Sequence, residues 1–339
     1  MIEVRRLDAL GPDQRVALAA WVEAEAPTLY HLPAYARVVE RAFGPRDLSL
    51  VALRGGAPAA FVPQWLLGRT IESVPFRDKG GPVGSDAEAL LALRDATVEL
   101  ARGVGARGIL WRDCDVPAWG SERRLVNVDL ELGGFADEPA FWRVLSPKVR
   151  AVVRQAREHG LSFRVAGPGE PGALDAFYRL FLETRHALGV PAHPRRFFAA
   201  YLRELPPSAV DILQVSDPRG EVVASTLLFH DGRASRWAYA AASRAGKQAR
   251  ANDLLVHGMI ARCIERRSPR LDMGADSPLQ EGLRFFKRKW GGTERVIASA
   301  AWGRARELDH NRPLFELPRR LLRRTPGWLY RGISRIVVR

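Results

Sequence analysis

The segment VDILQVSDPRGEVVASTLLFHDGRASRWAYAA, residues 210–241, decides how this chain folds. It contains three runs with strand character, Val210–Val215, Val222–His230 and Ala234–Ala241. Asp217-Pro-Arg-Gly220 and Asp231-Gly232 separate them, residues that favour turns because they preset or tolerate the required backbone angles. Strands joined by connections this short pair antiparallel. Upstream, Leu174–Leu188 and Pro194–Leu205 read as helices. Downstream come a helix from Asn252, a strand at Arg270–Met273 and a helix at Pro278–Trp290. Ser277, Pro278 and Gln280 form a capping box for that last helix, Gly291-Gly292 stops it, and Leu279, Leu283, Phe286 and Trp290 form its expected buried stripe. Lys287 falls one residue beyond the stripe, so its ammonium is expected at the margin of the core.

The first part of the chain repeats the α/β theme. Ile2–Arg6, Leu48–Arg54 and Ala57–Leu67 read as strands, the last two joined at the hairpin signal Gly55-Gly56. Pro12–Glu25 and Pro33–Phe43 read as helices, and Asp86 caps a third that runs to about Arg102. Strands are expected from Gly108 to about Asp113 and from Arg124 to Leu132. Ser146-Pro147 then opens a helix ending at His159-Gly160, with Arg150, Arg154 and Arg157 on one face and Val149, Val152, Val153 and Ala156 on the other. The resulting organisation is two α/β domains, 1–140 and 141–310, and a basic amphipathic helical tail, 311–339.

Length and composition agree with two folded domains: 339 residues, of which 47% are apolar. There is no apolar run long enough to span a bilayer and no apolar leader at the amino terminus, so a cytoplasmic protein is expected. Cys114 and Cys263 are far apart in apolar segments and read as reduced core residues. Metal-ligand spacing is absent. The net charge of +14 predicts polyanionic partners. Arginine supplies 47 of the 52 basic residues; the five lysines are Lys79, Lys148, Lys247, Lys287 and Lys289. A compact ammonium directs its charge at one oxygen in a way a guanidinium does not, which makes the lysines the first candidates for chemistry. From Pro313 to Arg339 seven arginines accompany one acid, Glu316, interleaved with Leu321, Leu322, Trp328, Leu329 and Ile336. This composition suits a helix on an anionic membrane surface, peripheral at the inner face, and equally a terminal helix packed on the body.

Two helices, three antiparallel strands, a helix, a strand and a helix is the order of a GNAT-type acyltransferase. The predicted fold class is therefore α/β (α+β), tandem GNAT-like domains, each with a mixed, largely antiparallel sheet flanked by helices. The chain also resembles the Fem peptidoglycan aminoacyltransferases, and more closely the Fem-like proteins associated with exopolysaccharide systems. Matching segments are His31-Leu-Pro-Ala-Tyr35 with Phe43-Gly44, Lys79-Gly-Gly-Pro-Val83, Leu110-Trp-Arg-Asp113-Cys-Asp-Val-Pro117, and Lys148-Val-Arg150 with Ala156 and Gly160. Others are Phe177-Tyr178 with His186-Ala-Leu-Gly189, Ala251-Asn252, and Phe286-Lys287 with Trp290-Gly291.

The resemblance implies amide formation by direct attack of an amine on an activated acyl carbonyl. Lys287 would stabilise the oxyanion, Phe286 would hold the base of that lysine, and Asp113 would contact the acceptor, although Asp113 and Asp115 also suit turn or cap positions. Arg77 and Lys79 would bind phosphates of a nucleotide-linked or lipid-linked sugar acceptor, with Gly80 and Gly81 giving backbone access, and Lys148 and Arg150 would extend that anion site. At the donor side Lys247, Arg250 and Asn252 occupy the place of a CoA pyrophosphate loop, but Ser243–Ala251 has only one glycine. The helical arm that helps some Fem enzymes hold tRNA is missing. The expected donor is acyl-CoA or aminoacyl-tRNA as co-substrate, with no tightly bound cofactor. Three readings stay open: an acyl or aminoacyl transferase acting on a cell-envelope precursor or amino sugar, a CoA-dependent N-acyltransferase of small amines, and a non-catalytic module binding nucleic acid or anionic lipid.

Overall fold

The computed structural model describes residues 1–25, 28–114, 119–306 and 311–338, without the side chains of residues 120–123. Contacts divide the chain into unit 1, residues 1–125 with 296–308, and unit 2, residues 126–295 with 309–339. These boundaries replace a contiguous division at residues 140 and 310. A strand not expected from the sequence carries the chain from unit 2 back to unit 1, and the tail packs as part of unit 2.

Unit 1 comprises β1 (Ile2–Arg6), α1 (Pro12–Glu25), α2 (Pro33–Phe43), β2 (Arg46–Asp47), β3 (Leu50–Arg54), β4 (Ala57–Val62), β5 (Gln64–Leu67), β6 (Thr70–Ser73), α3 (Ala87–Gly103) and β7 (Gly108–Trp111). β8 (Gly120–Glu131) leads out of it. The Gly55-Gly56 hairpin forms as expected, with Arg54 opposite Ala57. The expected single strand Ala57–Leu67 is two strands, because Pro63 has no N–H for a ladder. β4 joins a three-stranded sheet β1-β3-β4, and β5 pairs with β2 and β6 in a second sheet, where β6 runs parallel to β7. Asp86 caps α3 by accepting from the amides of Glu88 and Ala89, and Ala89, Leu93, Thr97 and Ala101 bury one face at every fourth residue. Two buried polar side chains pair inside it: Trp111 Nε1 donates to Gln64 Oε1 (2.9 Å), and Gln64 Nε2 donates to Leu48 O (3.1 Å).

Unit 2 contains α4 (Glu138–Val144), α5 (Pro147–Glu158), β9 (Ser162–Ala166), α6 (Ala173–Leu188), α7 (Arg195–Glu204), β10 (Val210–Ser216), β11 (Val222–His230) and β12 (Ser235–Ala242). Then follow α8 (Arg244–Gln248), α9 (Ala251–Glu265), β13 (Arg270–Asp276) and α10 (Glu281–Arg288). β14 (Thr293–Gly303) returns to unit 1, where it pairs with β7, and α11 (Glu316–Arg324) and α12 (Gly327–Val337) end the chain. The strand order is β8-β13-β12-β11-β10-β9, antiparallel except for β12 with β13. The predicted antiparallel trio is β10, β11 and β12. Successive residues of a strand face opposite sides. Leu228 accordingly enters a core with Val153 of α5 and Val256 of α9, whereas Phe229 packs 4.7 Å from Tyr201 of α7.

One buried ionic knot ties these layers. Asp211 on β10 accepts from His230 Nε2 (3.0 Å), Arg262 Nε (2.8 Å) and Arg266 Nε (3.1 Å). Burial alone pushes its carboxyl up, but the hydrogen bonds from His230 and Arg262 outweigh that and hold it well below the usual carboxylate range. Arg236 is enclosed between Asp231 (2.9 Å) and Asp272 (2.6 Å). Part of the arginine excess is therefore internal structure and does not face a partner. Cys263 is also internal, and burial pushes its thiol up to about 12.

Asp211→Asn leaves the partner arginines without their shared carboxylate and is expected to lower unfolding free energy by about 3 kcal/mol, measured by urea denaturation. A depressed carboxylate contributes its stability fully above its unfolded pKa, near 3.9, and loses it as pH falls toward the lower folded value. The wild type should therefore lose stability below about pH 4 more steeply than Asp211→Asn.

Candidate active site

Parallel pairing of β12 with β13 is confined to Ser235 with Leu271 and Arg236 with Asp272. Just past the last pair lie Trp237 on β12 and Gly274 on β13, and Lys287 reaches this place from α10. Its ammonium is 2.7 Å from Asp276 Oδ2 and donates to Gly274 O at 2.9 Å. Lys287 is only 4% exposed, further inside than the margin position expected from the sequence. An ammonium has three N–H donors. One of them donates to Gly274 O, and the charge faces the Asp276 carboxylate as an ion pair. Trp237 places its ring centroid 5.9 Å from Lys287 Nζ, and its own Nε1–H is buried with no acceptor among the described residues. A buried cation over an indole ring thus stands where the strands have parted, paired with a buried carboxylate.

Local sequence explains how α10 delivers Lys287, with one correction. Ser277 and Gln280 do interact, since Ser277 N donates to Gln280 Oε1 at 3.3 Å. They close a turn, however, and the helix begins only at Glu281. Leu279 is 63% exposed and Leu283 40%, so the expected four-residue stripe reduces to Phe286, half-buried, and Trp290, fully buried. Lys287 takes the inward place that the periodicity gave to leucines. Phe286 lies 6.5 Å from Trp237 between ring centroids, and Lys289 stands 4.2 Å over the Phe286 ring while pairing with buried Asp253 at the start of α9. Lys289 therefore anchors α10 to α9.

Lys148 is exposed at the start of α5, with Arg150 half-buried two residues on. Ser146 caps α5 as expected, Val149, Val153 and Ala156 are buried, and Arg154 and Arg157 are exposed. The segment expected to occupy the CoA-loop position folds into the short helix α8, closed by the Ser243 side chain accepting from Gly246 N (3.0 Å). Lys247 and Arg250 are exposed there and Asn252 is half-buried. Helix α9 starts at Ala251, one residue before the expected Asn252; Arg250 occupies its N-cap position with φ +69°, and its Nε donates to Gln155 Oε1 of α5 (3.2 Å).

The remaining expected residues belong to unit 1. Asp113 adopts φ +51° immediately after β7, a left-handed conformation that Asp tolerates better than most side chains. It lines a cavity of about 340 Å³ with Cys114, Arg124, Val296, Ile297 and Ala298. Asp115 lies outside the described residues. The loop from Arg77 to Gly81 is packed, contrary to the open anion loop expected from Gly80 and Gly81. Lys79 is 3% exposed, Arg77 lies 4.5 Å over the Tyr30 ring, and His31 Nε2 is 3.0 Å from Gly81 O. A Cβ at Gly81 would stand 2.4 Å from Arg112 O, so glycine here permits close packing. Sequence reasoning missed Asp276 and Trp237, because the first lies past the recognised end of its strand and the second reads as an ordinary strand aromatic.

Residues 146–288 match the family model of an acetyltransferase (GNAT) domain. The protein has the tandem GNAT fold of the Fem-like proteins. A crystal structure of FemX is similar over 94% of this chain and 100% of that one, with a TM-score of 0.64 and 14% identity. A tandem GNAT protein from the clavulanic acid biosynthesis pathway gives a TM-score of 0.58 at 12% identity over 91% of this chain and 100% of that one. L-PGS from Bacillus licheniformis gives 0.55 at 15% identity over 93% of this chain and 98% of that one. No curated protein sequence matches the chain. Among the described residues no cluster of metal ligands occurs.

Removing the Lys287 charge takes away the buried cation that faces Asp276. Lys287→Met is expected to cost about 3 kcal/mol of stability, and Lys287→Met combined with Asp276→Leu to cost clearly less than the sum of the single changes. Denaturant titration of the four proteins measures the coupling.

Proposed function

We propose that the protein is an N-acyltransferase that forms an amide by direct attack of an acceptor amine on an activated acyl or aminoacyl carbonyl. The observation that carries the proposal is the buried Lys287 ammonium, paired with Asp276, over the ring of Trp237 where β12 and β13 cease to pair. In this reading the carbonyl oxygen enters where β12 and β13 part and accepts from Lys287. As the amine adds, negative charge gathers on that oxygen, and a fixed cation in a dry site lowers the barrier by a few kcal/mol. The C–N bond forms as the C=O π bond opens; when that bond re-forms the bond to the carrier breaks, the nitrogen gives up one proton and the leaving group takes one. Asp276 pairs with Lys287 and orients it, and Phe286 walls the site. Asp113 is proposed, on the resemblance to the Fem enzymes, to contact the acceptor.

The match of residues 146–288 to an acetyltransferase domain supports acyl-CoA as donor. Likeness to FemX and to L-PGS supports the wider class that includes aminoacyl donors and cell-envelope acceptors, here a phosphorylated sugar or lipid-linked amine. The packed Arg77–Gly81 loop does not favour that loop as the phosphate site. Exposed Lys148 and half-buried Arg150 are the better placed cations for an acceptor phosphate, and Lys247 with Arg250 for a donor phosphate.

Incubation with parallel acyl-CoA and aminoacyl-tRNA panels, read by mass spectrometry, should show loss of one donor class. Lys287→Met, assayed well below its melting temperature, should lower kcat/KM for that donor by about 100-fold or more. Unchanged turnover in the folded variant would remove Lys287 from the chemistry. Asp113→Asn should raise KM for the amine more than it lowers kcat.

A further inference from the structure

The tail docks on unit 2 by one face and leaves the other bare. On α12, Tyr330 and Ser334 are buried one turn apart: Tyr330 Oη donates to Val190 O (2.9 Å), its ring stacks 4.4 Å from His186, and Ser334 Oγ accepts from Ala192 N (3.2 Å). On α11 the backbone of Arg319 lies against Gly189, where a Cβ would stand 2.2 Å from Arg319 O, and Arg319 Nε donates to Leu188 O (3.0 Å). These contacts fix both helices on the α6–α7 connection.

The outward face of each helix follows the same spacing. On α11, Leu317 (66% exposed) is followed by Arg320, Leu321 (61% exposed) and Arg324 at i+3, i+4 and i+7. On α12, Trp328 (74% exposed) is followed by Arg331 and Arg335 at i+3 and i+7, on the side away from Tyr330. Among the described residues Arg324, Arg331 and Arg335 pair with no carboxylate. Glu316 is the only acid of the tail and is already shared by Arg320 (3.1 Å) and Arg323 (2.9 Å).

We propose that this face of α11 and α12 is a peripheral docking surface for an anionic phospholipid bilayer. Large apolar side chains with unpaired arginines one and two turns on match the two layers such a surface presents, acyl chains below and phosphates above. A nucleic acid offers phosphates but no apolar layer for Leu317, Leu321 and Trp328, and a second copy of this strongly basic tail repels the first. The docked face holds the helices to unit 2, so the bilayer would be engaged without disturbing the fold.

The test is flotation of the full chain with vesicles of phosphatidylglycerol and phosphatidylcholine, against vesicles of phosphatidylcholine alone. Binding is expected to the anionic vesicles only and to weaken as salt rises. Leu317→Gln/Leu321→Gln/Trp328→Ala and Arg324→Gln/Arg331→Gln/Arg335→Gln should each lose at least tenfold in vesicle affinity, with melting temperature unchanged because none of the six is packed. Equal flotation with both vesicle types, or undiminished binding by the apolar triple variant, overturns the proposal. So does binding to duplex DNA that survives the apolar variant without vesicle binding, or a dimer that the apolar variant dissociates.

Discussion

The ion pair between Lys287 and Asp276, buried where β12 and β13 separate, is the constraint on which the rest of unit 2 turns. Two charges placed out of water are stable only if they face each other closely. That requirement sets the length of β13, which must reach Asp276, and the start of α10, which must bring Lys287 inward. It also holds the carbonyl of Gly274 toward the ammonium. The adjoining strands pair through only two residues each.

The lysines that stand out in the sequence divide into three physical classes. Lys287 on α10 and Lys289 at its C-terminal end are cations with carboxylate partners, the first paired with Asp276 and the second with Asp253. Lys79 is packed into unit 1. Lys148 and Lys247 are exposed and remain available to ligands. Arginine takes the internal knots in which several oxygens must be met at once, as Arg236 does between Asp231 and Asp272, which is the use its forked geometry favours.

The antiparallel trio from Val210 to Ala241 was legible because tight turns between β-rich runs leave one pairing. The caps at Asp86 and Ser146 were legible because an N-cap is a local interaction. Legibility failed where tertiary contacts decide. Pro63 splits a strand whose pieces join different sheets, β14 closes unit 1 from far along the chain, and α10 turns a lysine inward while leaving Leu279 and Leu283 in solvent. Periodicity cannot show that inversion, because the reason for it is Asp276, eleven residues upstream and on another element. The same limit hid Trp237.

The central claim is that the parted strands and Lys287 form the acyl site. It is tested most directly by a crystal structure of the protein with a non-reactive analogue of the donor it consumes. The account predicts the acyl carbonyl oxygen between β12 and β13, within hydrogen-bond distance of Lys287 Nζ, with the pair to Asp276 intact. An analogue bound elsewhere, with Lys287 still turned only to Asp276 and Gly274, would contradict it.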